Sequence, residues 1–329
     1  MVNIKDVSKK AGVSVATVSR VINKKRVKQE TVDLVIKVMD ELNYKPNQLA
    51  RNLSKQSTNT IALIIPAINN PFFPELASSI ENAANQAGYR VYLCNTDDNR
   101  DKLENYIHSL KTHLVDGVII DSHMLRDDDL MTLKSINIPV VTIDRSNFEN
   151  DFSYVSVKNK LGGQMAVEHL IEVGCNKIGH LRGPDKEVTA TQRYWGYRKV
   201  VKAYDWFDQS WIAPGEFTVK GGYQGMKELL IKHPEIDGVF AANDLSAVGA
   251  LKAAYEWNKR VPDDLAIIGF DGINMVDYMV PTITTIKQPI FKMGNLAVEE
   301  LLEKIANPKG GVNKYELDLM LVQNESTLR

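Results

Sequence analysis

Residues 11–23 read Ala11-Gly12-Val13-Ser14-Val15-Ala16-Thr17-Val18-Ser19-Arg20-Val21-Ile22-Asn23, and the glycine and serine near the start of this stretch separate two short helices. Upstream, Ile4, Val7 and Ala11 recur at i, i+3 and i+7 and stop at Gly12, as in an amphipathic helix ended by a glycine C-cap. Downstream, Ser14 is a good N-cap for a second helix in which Val18, Val21 and Ile22 share one side and Ala16, Thr17 and Arg20 the other. Only Gly12-Val13-Ser14 lies between them, and so short a turn containing glycine sets the helices at a sharp angle, giving a helix-turn-helix. A third helix is predicted from about Glu30 to Leu42, with Val32, Val35, Ile36, Met39 and Leu42 on its inward stripe. The three stripes can close a small core. In this arrangement the N-terminal end of the second helix enters the DNA major groove, bringing Val15, Ala16 and Thr17 to base edges and Arg20 to guanine or a phosphate. Periodicity fits equally well a plain three-helix bundle whose outward residues only cover surface.

Charge is divided unevenly along the 329 residues. The net value is −1, but residues 1–56 hold 12 Lys/Arg against 5 Asp/Glu, leaving 28 against 36 for the rest. A compact basic head on an acidic body is what phosphate-backbone binding by the head alone requires, although a solvated basic face would give the same count.

Three further segments extend the motif: Ile4-Lys5-Asp6-Val7 before it, then Leu42-Asn43-Tyr44-Lys45-Pro46-Asn47 and Leu49-Ala50-Arg51-Asn52-Leu53 after it. Together with residues 11–23 they closely resemble the signature of LacI/GalR-type transcriptional repressors. The resemblance implies that Val15, Ala16 and Arg20 read bases and that Ser14, Thr17, Ser19, Tyr44 and Asn47 hold the DNA backbone. It also implies a hinge helix and linker over residues 47–59, of which 47–55 becomes helical only on operator DNA, with Leu53 wedged into a central minor-groove step. Such a wedge costs a few kcal/mol of unstacking, offset by the contacts that bent DNA allows. Without the resemblance, Pro46 and the polar run Ser54-Lys55-Gln56-Ser57-Thr58-Asn59 read as a linker. Val15-Ala16 stands where some members carry large polar side chains, so by analogy the operator is expected to have a central CpG, as in the purine, catabolite and ribose branches.

From Thr60 onward, short apolar runs alternate with longer amphipathic segments: Ile61 to Ile65, Tyr89 to Leu93, Gly117 to Ile120, Ile138 to Ile143, then Lys177 to Leu181, Gly238 to Ala242 and Leu265 to Phe270. Buried strands separated by helices indicate parallel sheets covered on both faces, here in two similar lobes of an α/β fold. Ligands of such sheets gather beyond the carboxyl ends of the strands, so two facing lobes place a site between those ends. The residues just past the strands are Asn70-Pro71-Phe72-Phe73, Asp144-Arg145, Asn243-Asp244, Asp271-Gly272 and, after a late short strand, Gln288. Each alone reads as an ordinary loop or cap. Their recurrence suits a sugar, because carboxylates, amides and Arg forks match vicinal hydroxyls and aromatic faces cover the C–H side of the ring.

The body resembles the periplasmic-binding-protein-like sensor of the same repressors, above all the ribose-responsive ones. The resemblance adds Arg193, in Thr191-Gln192-Arg193, and Phe217, in Gly215-Glu216-Phe217, to a ligand set of Asn70, Phe72, Phe73, Asp144, Arg145, Asn243, Asp271 and Gln288. Two positions depart from the pattern: Ser122 replaces an asparagine and Lys158 an aspartate. Trp195 is expected to narrow the pocket. The expected organisation is a helix-turn-helix head at 1–46, a hinge at 47–59, and an effector-binding and dimerisation domain at 60–329. Within the latter, the N-lobe is expected at about 60–159 and 290–320 and the C-lobe at about 160–289 and 321–329.

No apolar run approaches the ~18 residues of a membrane span, and Met1 to Asp6 carries no basic region ahead of an apolar stretch, so a cytoplasmic protein with no signal peptide is expected. Cys94 and Cys175 are far apart and without metal-site spacing, and read as small buried hydrophobes. No GxGxxG, P-loop, GxSxG or HExxH occurs, so no catalytic residue, metal or cofactor is expected. The expected partners are double-stranded operator DNA, a small sugar such as ribose or a related pentose, and a second copy of the chain. The competing readings are a solute-binding protein without a DNA role, which the basic head opposes, and a regulator controlled by a protein or phosphorylated co-effector.

Overall fold

The computed structural model describes residues 2–23, 25–44, 57–110, 115–144 and 151–329. The chain forms two compact units, Met1–Thr58 and Asn59–Arg329.

In the first unit, α1 (Ile4–Ala11) starts at Asn3, whose side chain accepts from Lys5 N at 2.8 Å while Asp6 accepts from Asn3 N at 2.9 Å. This reciprocal capping satisfies donors that a helix start leaves bare. Gly12, at φ 65°, ends the helix in the left-handed region open to glycine. α2 (Val15–Ile22) begins at Ser14, whose Oγ accepts from Thr17 N at 3.1 Å. α3 spans Gln29–Glu41. Val7, Ala11, Val18, Val21, Val35 and Val38 form the core of the three helices. One expected inward residue is misplaced: Ile36 is 48% exposed, and Val38 takes the buried position beside Val35. Val32, Met39 and Leu42 pack at the margin of the core, as expected.

The second unit holds two six-stranded sheets. The first lobe runs β1 (Thr60–Ile65), α4 (Phe72–Gln86), β2 (Arg90–Asn95), α5 (Arg100–Ser109), β3 (Gly117–Ile120), α6 (Asp127–Ser135), β4 (Val140–Ile143) and β5 (Ser153–Val157). The second runs α7 (Asn159–Glu172), β6 (Ile178–Arg182), α8 (Val188–Val201), β7 (Ile212–Pro214), α9 (Val219–Lys232), β8 (Gly238–Ala241), α10 (Asp244–Glu256), β9 (Ala266–Asp271) and β10 (Thr284–Lys287). The chain then returns to the first lobe with α11 (Ile290–Ala306), which packs on α4, β3, β4 and β5, and with β11 (Lys314–Leu317), which pairs with β5. It ends in the second lobe with β12 (Met320–Val322), antiparallel to β10.

The strand orders are β2-β1-β3-β4-β5-β11 and β7-β6-β8-β9-β10-β12, and every pair except β10–β12 is parallel. The two sheets therefore share one topology. Strands β3, β4, β5, β8 and β9 are buried along their whole length, as helices on both faces require. In each sheet the order reverses beside the first strand, at β1/β3 and at β6/β8, and such a switch point opens a crevice at the carboxyl ends of the strands. Four strands went unread in the sequence. β5 mixes serine with valine, β7 is three residues long and contains Pro214, and β11 and β12 are short closing strands. Among the described residues no helix is long and apolar enough to cross a membrane.

Candidate functional site

A cavity of about 640 Å³ lies between the carboxyl ends of the two sheets. Nine of the ten expected ligand residues line it: Asn70, Phe72, Phe73, Asp144, Arg193, Phe217, Asn243, Asp271 and Gln288. Arg145 lies outside the described residues, as do Asn47 and Leu53 and the expected hinge up to residue 56.

On the first lobe, the Asn70 side chain accepts from Phe72 N at 3.2 Å, fixing the turn from β1 into α4. The rings of Phe72 and Phe73 meet edge to face at 5.2 Å, which presents an apolar wall.

On the second lobe, Arg193 comes from the second turn of α8 and is 4% exposed. Its Nε donates to Asn159 Oδ1 at 2.8 Å, and its Nη1 donates to Ala242 O at 2.7 Å and to Asp271 Oδ1 at 3.1 Å. The guanidinium also lies 3.7 Å from the centre of the Phe270 ring and 5.5 Å from that of Phe217. Such stacking suits a planar, weakly hydrated cation out of water. Asp271 also accepts from Gln288 Nε2 at 2.8 Å. Burial pushes the Asp271 carboxyl above the usual carboxylate range, with Arg193 and the hydrogen bond from Gln288 opposing. Asn243 caps α10 by accepting from Ser246 N at 2.9 Å and donates to Phe217 O at 3.1 Å. Gly183 makes room for the Phe217 ring, since a Cβ there would sit 2.4 Å from it.

Gln288 Oε1 is buried and, among the described residues, has no hydrogen-bond partner. A buried acceptor left open is costly unless something donates to it, so this atom is suited to a ligand hydroxyl.

Sequence reasoning missed several lining residues: Asp98, Asp121, His123, Glu187, Thr189 and Met275. Asp98 and Asp121 follow β2 and β3, so the strand-end rule applied to Asn70 would have found them. His123 and Glu187 make a contact between the lobes, with Nδ1 2.8 Å from Glu187 Oε1 and 3.7 Å from Asp98 Oδ1. A second contact joins Glu75 on α4 to the backbone N–H of Asn274, at 3.0 Å. Burial and the neighbouring Glu187 and Asp97 raise the Asp98 carboxyl, against His123. Trp195 does not line the cavity. It is 50% exposed, because Gly196 rather than Trp195 faces α7, where a Cβ would meet Lys160 O at 2.2 Å. Ser122 is buried, and its hydroxyl accepts from Met124 N at 3.2 Å outside the lining. Lys158 pairs with Asp318 at 2.7 Å, beside two of the crossings between the lobes.

In the first unit, Val15, Ala16 and Arg20 are exposed on α2, with Ala16 and Arg20 on the side away from buried Val18 and Val21. The Ser14 hydroxyl is 2.9 Å from that of Thr17, Ser19 is half-buried, and Tyr44 rests against the small core. Both cysteines are buried, and burial raises each thiol to about 12, so neither ionises near neutral pH. Among the described residues no group of side chains is arranged to hold a metal ion.

Two family descriptions match the chain. Residues 3–47 match bacterial regulatory proteins of the lacI family, and residues 58–318 match periplasmic binding proteins and the sugar binding domain of the LacI family. The ribose operon repressor of Halalkalibacterium halodurans is 42% identical over 328 residues, 99% of this chain and 97% of that one. A lac repressor dimer bound to operator and the anti-inducer ONPF superposes with a TM-score of 0.88 at 27% identity, covering 100% of this chain and 99% of that one. A LacI family transcriptional regulator from Enterococcus faecalis with bound ribose gives 0.74 at 31% identity, over 81% of this chain and 98% of that one. With both of its units matched and relatives alike from end to end, this chain belongs to the LacI family of bacterial transcriptional regulators.

Proposed function

We propose that the protein is a homodimeric repressor whose grip on operator DNA is set by a small neutral sugar, ribose or a related pentose, held between the lobes of its second unit. The observation that carries this reading is the hydrogen-bonded set Arg193, Asp271 and Gln288, with Asn243 on the same lining, facing the Phe72–Phe73 wall across one cavity. Carboxylate, amide and guanidinium groups held in place by one another match adjacent hydroxyls, and the open Gln288 acceptor supports a polyol. The described lining holds Asp98, Asp121, Asp144, Glu187, Glu216 and Asp271 against Arg193 and His123, which disfavours a phosphorylated sugar. The relative named a ribose operon repressor and the Enterococcus faecalis regulator with bound ribose support the choice of pentose.

At the DNA, Val15, Ala16 and Arg20 read bases, Ser14, Thr17, Ser19, Tyr44 and Asn47 hold the backbone, and Leu53 enters the minor groove. The lac repressor dimer bound to operator, which resembles this chain from end to end, supports a second copy as partner. No catalytic step belongs to this reading. Sugar closes the lobes, and differential affinity for the two lobe states lowers operator affinity. Fluorescence anisotropy of a CpG-centred palindrome titrated with ribose tests both halves. Release at saturating ribose is expected, and operator binding indifferent to every pentose, hexose and purine would overturn the sensor.

A further inference from the structure

Behind the cavity wall, Asp244 is fully buried yet does not line the cavity. It is the first residue of α10, next to the cap Asn243, and its carboxylate reaches across to the end of β9. Oδ2 accepts from the backbone N–H of Gly272 at 2.7 Å and of Ile273 at 2.9 Å, and Oδ1 accepts from the Thr285 hydroxyl at 2.7 Å. Gly269 makes room for it, since a Cβ there would lie 2.3 Å from Oδ1.

The turn it holds is unusual. Asp271 has φ 117° and Gly272 φ 74°, so a side-chain-bearing residue sits where L residues rarely go. Backbone of this kind persists only where its surroundings over-determine it. Successive N–H groups converging on one anion are a recurrent anion cradle, and here the anion belongs to the protein itself. Burial and the neighbouring Asp271 raise the Asp244 carboxyl, while the three donors oppose.

We propose that Asp244 is a positioning residue: it holds the Asp271–Gly272–Ile273 turn in the left-handed form that presents Asp271 to the cavity, and so sets effector affinity without touching the effector. The proposal rests on the effector reading of the cavity. Asparagine can keep the essential contact, its carbonyl accepting both N–H groups while its amide donates to a Thr285 hydroxyl turned to accept. Alanine leaves the Ile273 N–H buried without an acceptor and the Gly272 N–H with only its longer bond to the Thr285 hydroxyl, at 3.2 Å.

The test uses the full-length protein as wild type, D244N, D244A and T285V. Ribose affinity is measured by calorimetry, sugar-free operator affinity by anisotropy, and hydrogen exchange in the peptide spanning residues 266–276 by mass spectrometry. D244A is expected to bind ribose at least tenfold more weakly and to exchange at least tenfold faster in the turn. Its operator affinity should stay within threefold of wild type, and D244N should stay within threefold of wild type in ribose binding. Wild-type ribose affinity and exchange in a cooperatively melting D244A would overturn the proposal, as would a D244N as weak as D244A. Should D244A fail to melt cooperatively, T285V decides: threefold weaker ribose binding supports the role and unchanged binding overturns it. A wild type that binds no ribose sinks the effector reading instead, and exchange in the turn then decides the positioning role alone.

Discussion

Replacing Arg193 with methionine keeps most of the side-chain bulk and removes the guanidinium that Asp271 pairs with among the described residues, at 3.1 Å. It deletes the bonds to Asn159, Ala242 O and Asp271 and leaves a carboxylate that is 4% exposed without its counter-charge. Stranding one half of a buried pair costs about 3–5 kcal/mol. In a domain of this size that lowers the melting temperature by on the order of 10 °C. The loss carries a pH signature. Burial already holds the native Asp271 carboxyl above its unfolded value, and without Arg193 it rises further. Folding then takes up a proton, so stability is lost as pH rises through the native pKa, and the variant falls further behind wild type at pH 8 than at pH 5. Asp271→Asn removes the stranded charge, so the double variant should recover much of the loss. Ribose binding should still weaken by about 1.5–3 kcal/mol or more, roughly ten- to a hundredfold, for want of the charged donor. Urea unfolding of the two single variants and the double variant at three pH values measures the cycle. An R193M cost under about 1 kcal/mol, or a double variant no more stable than R193M, would refute the argument.

Arg20→Ala should weaken operator binding by about 1–3 kcal/mol and leave calorimetric ribose affinity unchanged; operator affinity equal to wild type would remove Arg20 from the DNA face. His123→Phe breaks the 2.8 Å contact with Glu187 between the lobes. It should weaken sugar binding about fivefold, for a loss of about 1 kcal/mol, with sugar-free operator affinity kept, and an unchanged sugar titration would show that the contact does not aid closure. His180 is wholly buried, stacked on Tyr197 and Phe240, and burial lowers it to about 3. The unfolded chain therefore binds the extra proton between that value and the ordinary 6.5, and stability falls by about 1.4 kcal/mol per pH unit as pH drops through the window. Denaturant melts of His180→Phe should show a flatter acid slope, and a slope equal to wild type would contradict a neutral buried imidazole.

The two units and most of the cavity were legible in the sequence because they rest on local signals. Gly12 and Ser14 punctuate the head, and the apolar runs from Ile61 to Phe270 mark the central strands, whose ends expose Asn70, Asp144, Asn243 and Asp271. Arg193 and Phe217 came only from resemblance. One lies inside a helix and the other follows a three-residue strand, so no strand-end rule reaches them. Ile36 was misplaced because a stripe spaced at three and four residues leaves Val35, Ile36 and Val38 to be sorted by helix packing, which periodicity alone does not supply. His123 and Glu187 are 64 positions apart and meet only because two separately folded sheets face each other. The grip of Asp244 on Gly272 and Ile273 was hidden for the same reason: Asn243-Asp244 reads as an ordinary helix start until β9 is laid beside it.

The late return of the chain to the first lobe has a consequence for biosynthesis. The head closes its own core within the first 44 residues, so it can form while the ribosome is still at work. The sensor cannot, because the first lobe waits for α11 and β11 and the second for β12, all encoded after residue 289. Premature termination there would leave a head with a finished core joined to two sheets that each lack a closing strand.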